Sequence, residues 1–317
     1  MDIFYFIIQR TMFFMIPLMI VALGGLFSEK SGIINIALEG KMVLGAFTGI
    51  LTINLLQDRV AAVPLLVIAL LVATTMGVLV SLLHAYASIN LKANQVISGI
   101  AINMFAPAFA IYVSRLVVGT QNVGFRNQFL IRQVPVLGNI PLIGPMFFQD
   151  TYFTTLLGFI ILAVSTFVLY KTKFGLRLRA CGEHPGAADS VGINVARMRY
   201  AGVIISGALA GLGGIVFIIP VTVVFTGSVS GYGFLALAVL IFGGWNPIKI
   251  VFAAFFFGLM QTIAASSTSI PFLNALQIPV EFYRMLPYVL TLVVLAFTSK
   301  KTIAPKALGE VYDKGKR

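Results

Sequence analysis

The sequence predicts an all-α integral membrane protein, a polytopic bundle of about nine transmembrane helices (8–10 at roughly the same merit) that includes short or broken helices. The first observation is composition, because 59% of the 317 residues are apolar and only 10% are charged. The second is a mean hydropathy of +1.00, which does not fit the polar exterior that a soluble domain needs. The third is that several segments exceed the roughly 18–20 consecutive apolar residues that span a hydrocarbon core.

The predicted spans alternate with short connections along the whole chain. In chain order they are residues 3–26, 33–49, 61–83, 96–118, 152–170, 200–225, 234–244, 250–267 and 287–298. We expect Pro17 to interrupt the first span and residues 28–32 to form a tight polar turn after it. Residues 119–150 are too long for a simple connector, and residues 271–279 are expected to form an irregular re-entrant or surface segment. Residues 1–299 are therefore predicted to form the transmembrane domain, and residues 300–317 a basic tail.

Basic residues decide the predicted orientation. The net charge is +12, and all but six of the 22 Lys and Arg residues lie in or beside segments on one side of the predicted bundle. Basic residues near the ends of spans mark the cytoplasmic side. We therefore predict a multi-pass protein in membrane lipid, with a cytoplasmic C-terminus and an external N-terminus. Because the charge lies where topology requires it, no nucleic-acid partner is expected.

The longest polar interruption, residues 171–199, carries six basic residues against two acidic ones. Within it, residues 185–192 predict a short helix, with Pro185 in its first turn and Gly192 as its stop. A short helix displayed on the inner face of a membrane protein is a docking element. Cys181, the single cysteine, lies in the same loop, so no disulfide framework is expected.

Polar residues inside the predicted spans are the candidates for a substrate pathway. Asn35 and Glu39 lie four residues apart, which places them on one face of a predicted helix. An ionisable group in a span is costly and usually faces the bundle interior or water; alternatively, Glu39 pairs with Lys41 or caps nearby backbone. Three amides at the entry and in the interior of the fourth span can hydrogen-bond an uncharged polar ligand or join neighbouring helices. These amides are Asn94, Gln95 and Asn103.

Glycine clusters predict one discontinuous helix in each half of the chain, over residues 32–49 and 227–244. Ordinary packing glycines are the alternative. The sequence has no Gly-x-x-x-x-Gly-Lys-[Ser/Thr] motif, so the chain has no P-loop of its own. With two histidines and one cysteine, neither a metal cluster nor a catalytic triad is expected.

Five segments together resemble one family of transport proteins. They are SEKSGIINIALEGKM (28–42), ANQVISGIAIN (93–103), FGLRLRACGEHPGAADSVGI (174–193), GYGFLALAVLIFGG (231–244) and LPYVLT (286–291). In this order they are similar to ABC importer permeases of the branched-chain amino acid and ribose type, and most similar to the bacterial nucleoside-uptake branch.

The resemblance implies a permease subunit that translocates nucleosides across the bacterial cytoplasmic membrane by alternating access. It implies three protein partners: a cytoplasmic ABC ATPase that binds ATP and Mg, a second permease subunit and an extracellular substrate-binding lipoprotein. The chain itself would bind no cofactor and would not be an enzyme. Segment 174–193 is similar to the ATPase-coupling loop of the family, and the expected coupling residues are Glu183, His184, Pro185, Gly186, Ala187, Ala188, Asp189 and Gly192.

Two alternatives stay open at this point. Within the family, the cargo is a branched-chain amino acid or a simple sugar; an amino acid needs a charged or helix-terminus partner for its carboxylate, whereas a nucleoside needs amides and an aromatic face. From another class, an ion-coupled secondary transporter would need no ATPase. The helix at residues 185–192 would then have no partner.

Overall fold

The computed structural model describes residues 2–135, 137–141, 144–267 and 304–313, with a few isolated positions between 279 and 289. Ten α-helices make up most of this part of the chain. They are α1 (Asp2–Lys30), α2 (Leu38–Leu56), α3 (Ala62–Ala85), α4 (Gln95–Val118), α5 (Phe153–Lys171), α6 (Lys173–Glu183), α7 (Pro185–Ser190), α8 (Val195–Val221), α9 (Tyr232–Phe242) and α10 (Pro247–Ser266). A π-helical turn, Tyr86–Asn90, continues α3.

Within the described ranges, six helices are long and apolar enough to cross a membrane, namely α1, α3, α4, α5, α8 and α10. The shorter apolar helix is α9, and α2 carries two charged residues near its start. The all-α membrane architecture is therefore confirmed. The predicted segments 271–279 and 287–298 lie outside the described residues, apart from isolated positions.

The centre of the bundle is built from α1, α2 and α8. Glycines of α8 bring its backbone against neighbouring helices, since a Cβ at Gly207 would clash with the carbonyl of Gly77 in α3, and one at Gly211 with the carbonyl of Ala73. Small residues at helix interfaces allow this close approach in membranes. These glycines therefore allow α8 to pack closely against α3.

The outer helices present apolar side chains where lipid would lie. Met104 of α4 is 74% exposed and Phe252 of α10 is 71% exposed. In water such surfaces would be unfavourable, whereas in hydrocarbon they are not. These helices therefore form the periphery of the chain.

The bundle has two distinct ends. At one end, which we name the strand end, β1 (Val123–Gly124) pairs with β4 (Val224–Phe225), and β2 (Leu130–Gln133) pairs with β3 (Gln149–Tyr152). The start of α1 belongs to this end, because the Gln9 side chain donates to the carbonyl of Pro145 at 2.7 Å. The opposite end, the α7 end, holds α6, α7 and residues 304–313, since Ala307 N–H donates to the carbonyl of Gly182 at 2.9 Å.

The junction of the first two spans was predicted wrongly. Pro17 lies inside a continuous α1, and residues 28–30, predicted as a turn, complete that helix. The break comes later, at residues 31–37, and α2 begins at Leu38 rather than at residue 33. Asn35 therefore precedes the helix that contains Glu39, and the two do not share a helix face.

The polar stretch 171–199 is more ordered than predicted. The short helix is confirmed as α7, and Gly192 follows it with φ +83°, a left-handed conformation that glycine adopts without strain. The preceding helix α6 was not predicted. The side chain of Thr172 caps it by accepting from Gly175 N–H at 3.2 Å. Its buried face is Gly175, Leu178, Cys181 and Gly182.

Candidate functional site

The break at residues 31–37 lies inside the bundle rather than at its surface. Asn103 fixes its depth, because the Asn103 side chain accepts from Gly40 N–H at 2.8 Å and donates to the carbonyl of Ile36 at 2.9 Å. Asn103 lies eight residues into α4, which is about 12 Å along the helix. The interrupted backbone is therefore embedded among helices, where each free N–H and C=O needs a partner.

Two further side chains satisfy the same broken backbone. The Gln95 side-chain oxygen accepts from Ile34 N–H at 2.7 Å. The ring of His84 contacts the carbonyl of Ile34 at 3.1 Å and the hydroxyl of Ser98 at 3.0 Å. Gln95 and Asn103 thus join α4 to the break. Asn94 is separate from this group, because it is exposed and caps α4 by accepting from Val96 and Ile97 N–H.

Lys41 is fully buried and forms a polar chain across the bundle. Its ammonium donates to the Asn35 side-chain oxygen at 2.8 Å, and the Asn35 amide donates to the Ser206 hydroxyl of α8 at 2.7 Å. A buried charge needs such a hydrogen-bonded partner. The suggested pairing of Glu39 with Lys41 is wrong, since the hydrogen bonds of the two residues go to different groups.

Glu39 caps the short helix α9. One carboxylate oxygen accepts from Gly231 N–H at 3.0 Å and the other from Gly233 N–H at 2.6 Å. A negative group at a helix N-terminus satisfies unpaired amides and interacts favourably with the helix dipole. A Cβ at Gly233 would clash with the backbone of Glu39, so glycine allows this approach. Glu39 therefore caps backbone, as one alternative held, but in a distant helix.

A second carboxylate binds just beyond the other end of α9. Glu29, near the end of α1, is 6% exposed and accepts from the indole N–H of Trp245 at 2.6 Å. Trp245 follows the C-terminus of α9 in a left-handed conformation, with φ +53°. Sequence reasoning missed this pair. The available signals were an acid at the end of the first span and the single tryptophan after the short helix. We name the two contacts, Glu39 to α9 and Glu29 to Trp245, the α9 clamp.

The predicted coupling residues divide into an exposed and a buried set. His184, Gly186 and Ala187 are exposed, whereas Ala188 is only 3% exposed and packs in a cluster with Cys181 and Val195. The Ala188 side chain therefore packs α7 against α6 and α8, and its part in coupling stays a prediction. Glu183, Pro185 and Asp189 are half-buried, and Gly192 is exposed.

Burial also affects the one cysteine of the chain. Desolvation raises the pKa of the Cys181 thiol, and nearby Arg199 opposes this shift. A raised thiol pKa keeps Cys181 protonated at neutral pH, which makes it a poor nucleophile. In the part of the chain that the structure describes, no group of three or more His, Cys, Asp or Glu residues could hold a metal ion.

Residues 304–313, which we name the C-terminal segment, pack on the α7 end. Gly309 N–H donates to the carbonyl of Gly32 in the break at 3.0 Å, and Ala307 is 3% exposed. Arg199 of α8 donates to the carbonyl of Glu310 at 2.9 Å. The segment therefore connects the break with α6 and α8.

Comparison with known proteins places this arrangement in a family. The family model for the permease component of branched-chain amino acid transport systems matches residues 7–295 of this chain. The guanosine ABC transporter permease protein NupQ of Bacillus subtilis (strain 168) is 45% identical over 315 residues, with 98% of this chain and 97% of that protein covered. The nucleoside ABC transporter permease protein NupC of Lactococcus lactis subsp. cremoris (strain MG1363) is 39% identical over 311 residues, with 98% and 97% covered.

A more distant relative is the putative glucose ABC transporter permease protein TsgC13 of Haloferax volcanii, 29% identical over 322 residues with 94% of each chain covered. No solved structure matches the chain.

These matches cover nearly the whole sequence, and they agree with the helical membrane bundle. Permease components of this kind are multi-pass cell-membrane proteins that work with other subunits of an ABC transporter. They are not enzymes, because ATP hydrolysis belongs to a separate ATPase subunit. The chain therefore belongs to the family of ABC transporter permease components typified by the branched-chain amino acid transport systems.

Proposed function

We propose that this chain is the transmembrane permease subunit of an ABC importer that carries nucleosides into the cell by alternating access. The observation that carries the proposal is its 45% identity with the guanosine permease NupQ over 98% of the chain. The nucleoside permease NupC gives the same indication at 39%. The matches to these two relatives extend over α7, the break at residues 31–37 and α9, as well as over the apolar spans.

The proposed assembly contains a second, different permease. One Lactococcus lactis strain has two nucleoside permeases, NupC and NupB, to which this chain is 39% and 28% identical. Such a pair supports a transporter built from two unlike transmembrane chains. We further propose a cytoplasmic ATPase, which would bind ATP and Mg, and an extracellular substrate-binding lipoprotein. The present chain would bind no cofactor.

We propose that the α7 end is cytoplasmic and that the ATPase docks on the exposed side of α7. The basic residues of α6 and of the α8 start favour this orientation. His184, Gly186 and Ala187 would contact the ATPase directly, with the other predicted coupling residues shaping the helix. Because Ala188 packs α7 against α6 and α8, a push on α7 would move α8, which lies at the centre of the bundle.

Alternating access would then act through the break at residues 31–37 and the short helix α9. The α9 clamp ties the start of α2 to α9. When α8 tilts against α2, α9 would therefore move together with α2. We propose that the nucleoside path borders the break and that Asn35, Glu39, Asn94, Gln95 and Asn103 shape it. All five already bond to other groups of the chain. Their role would therefore be to position the backbone of the path.

Uptake of radiolabelled guanosine tests the proposed cargo. The measurement compares a strain lacking this gene with the same strain carrying the gene on a plasmid, with the other nucleoside carriers removed. We expect uptake only with the plasmid, and we expect unlabelled nucleosides to compete while leucine, ribose and glucose do not. Loss of leucine or sugar uptake in the deletion strain, with guanosine uptake intact, would instead support another cargo.

A further inference from the structure

The C-terminal segment, residues 304–313, is packed into the α7 end of the bundle. Ala304 and Leu308 contact the main hydrophobic core, and Ala307 is 3% exposed. A tail that only carried positive charge to the cytoplasmic side could stay in water. The contacts that this segment makes with other elements therefore indicate a further role.

The backbone of the segment binds two carbonyl groups that lie where helices end. Gly182 is in the last turn of α6, and Ala307 N–H donates to its carbonyl at 2.9 Å. Gly32 follows α1 in the break, and Gly309 N–H donates to its carbonyl at 3.0 Å. The last carbonyls of a helix have no partner within that helix, and inside a membrane bundle each needs one. The segment therefore joins the end of α6 to the break through hydrogen bonds to both.

The fit between the segment and the break is close. Gly309 has φ +82°, and a Cβ added there would come within 2.7 Å of Ile34 Cδ1. In the same junction, a Cβ at Gly182 would clash with the carbonyl of Lys30 at the end of α1. Ile34 N–H in turn donates to the Gln95 side chain of α4 at 2.7 Å. A shift of the segment would therefore displace Ile34 and the broken backbone that contains it.

The other end of the segment rests on the cluster that anchors α7. Tyr312 packs against this cluster, which contains Ala188 of α7. Between the two ends, Arg199 of α8 donates to the carbonyl of Glu310 at 2.9 Å. A movement of α7 that carries Ala188 would therefore displace the cluster on which Tyr312 packs.

The link between these two contacts is short. Tyr312 lies three positions after Gly309, and an extended chain of three residues reaches at most about 11 Å. Glu310 N–H donates to the carbonyl of Ala307 at 3.2 Å, which further fixes this stretch. Energetic coupling between distant sites can pass through contiguous packed contacts of this kind. A link held by packing at one end and by a hydrogen bond at the other has little slack.

We propose that the C-terminal segment carries movement of α7 to the break at residues 31–37. Tyr312 receives the movement at the α7 cluster, and Gly309 delivers it to Gly32 and Ile34. This route is separate from the tilt of α8, because it reaches the break through the backbone of the segment. The inference rests on the proposed function, in which the ATPase docks on α7. It makes Tyr312 and Gly309 positioning residues for transport.

Amide hydrogen exchange tests the link in the full-length chain, purified in detergent without cargo or ATPase. Mass spectrometry follows peptides that cover residues 31–37. Gly309→Ala should raise the exchange rate of these peptides about fivefold, the factor expected for the loss of one backbone hydrogen bond. Tyr312→Ala should raise it severalfold as well, because the other contact of the same short link is lost.

Each variant has a matched control. Gly119→Ala adds the same methyl group at another left-handed glycine, φ +81°, where a Cβ would meet open space within the described part of the chain. Tyr112→Ala makes the same truncation at a tyrosine of α4 that is 63% exposed. We expect parental exchange over residues 31–37 in both controls.

Three results of the exchange measurement would overturn the inference. The first is parental exchange over residues 31–37 in both Gly309→Ala and Tyr312→Ala. The second is a rise in Gly309→Ala alone, because the segment would then brace the break without receiving movement from α7. The third is an equal rise in the controls, which would show a general loosening of the bundle. If Gly309→Ala does not accumulate, Tyr312→Ala still decides the question.

The complete transporter in proteoliposomes tests the consequence for transport, measured as guanosine carried per ATP hydrolysed. Tyr312→Ala should lower this ratio severalfold while the ATPase still co-purifies, because the exposed side of α7 is unchanged. A segment with only a structural role would lower the amount of transporter and leave the ratio as it is, and that result would contradict the inference. If the parent transporter carries no guanosine, the proposed cargo is wrong, and the exchange measurement still decides whether the segment links α7 to the break.

Discussion

Replacing Glu39 with Gln is expected to loosen the start of α9 without unfolding the bundle. In the parent chain the two carboxylate oxygens accept from Gly231 and Gly233 at 3.0 and 2.6 Å. A carboxamide keeps one acceptor and turns an NH₂ donor toward the other amide. Loss of one charge-assisted hydrogen bond costs about 1.5–3 kcal/mol, and loss of the charge at the helix N-terminus adds about 0.3–1 kcal/mol. We therefore expect Glu39→Gln to destabilise the start of α9 by a total of about 2–4 kcal/mol.

Trp245 provides the assay. It is the single tryptophan of the chain, and its contact with Glu29 lies beyond the opposite end of α9, so its fluorescence reports on the clamp. In the purified chain, Glu39→Gln should leave the starting emission maximum unchanged and lower the temperature at which emission shifts to the red. The control is Asp58→Asn, because the exposed ion pair of Asp58 with Arg126 contributes little to stability.

Two outcomes would contradict this reasoning. If Glu39→Gln has the same transition temperature as the parent chain, the carboxylate does not support α9. If Asp58→Asn lowers the transition as much, the assay reports a general loss of charge rather than the clamp.

Three further predictions concern coupling, orientation and the thiol. Ala187→Arg should abolish co-purification of the ATPase while the permease still accumulates, since a charge at a packed interface costs on the order of 2–4 kcal/mol. Ala188→Arg should reduce accumulation of the permease itself, because that side chain is buried. Equal accumulation of the two variants would contradict this packing. Cysteines placed at the exposed positions Gln128 and Lys306 should differ in their labelling by an impermeant maleimide in intact cells, with only position 128 labelled. Labelling at position 306 from outside would show that the orientation is the reverse. Burial raises the folded-state pKa of Cys181, so its contribution to stability is fully present below the unfolded pKa and is lost as pH rises through the folded pKa. The transition temperature of the parent should therefore fall more steeply above about pH 9 than that of Cys181→Ala, and parallel curves would refute this contribution.

Much of the fold could be predicted because transmembrane helices follow from length and hydropathy alone. The predicted third, fourth and fifth spans agree with α3, α4 and α5 to within two residues at each end. The short helix in residues 227–244 was also predicted correctly, because glycines flank its apolar core. Its N-terminal flank is Gly231, with φ +79°. These features depend on local composition, which the sequence displays directly.

The position of the break and the partners of the clamp could not be predicted, because they depend on contacts between distant residues. Asn35 and Glu39 have helical spacing, yet the helix begins between them, since Gln95 and Asn103 of another helix satisfy the open backbone. The partner of Glu39 is 192 residues away in the case of Gly231. Spacing cannot distinguish a carboxylate that caps a remote helix from one that faces a pathway.

The polar α7 end was misjudged for a different reason. Its high charge suggested a loop, although α6 buries one small, apolar face and leaves its basic residues outside. The burial of Ala188 results from that unexpected helix. The packing of the C-terminal segment likewise depends on the carbonyls of Gly32 and Gly182, which composition does not reveal.

The rate of ATP hydrolysis by the complete transporter in proteoliposomes tests the central claim most directly. The measurement compares the rates of ATP hydrolysis with the binding lipoprotein empty, loaded with guanosine, and loaded with leucine or ribose. The account predicts that guanosine-loaded lipoprotein raises the rate and drives guanosine into the liposomes only when this chain is present, with Ala187→Arg removing both effects. Stimulation by leucine or ribose but not by guanosine, or guanosine transport without ATP, would contradict it.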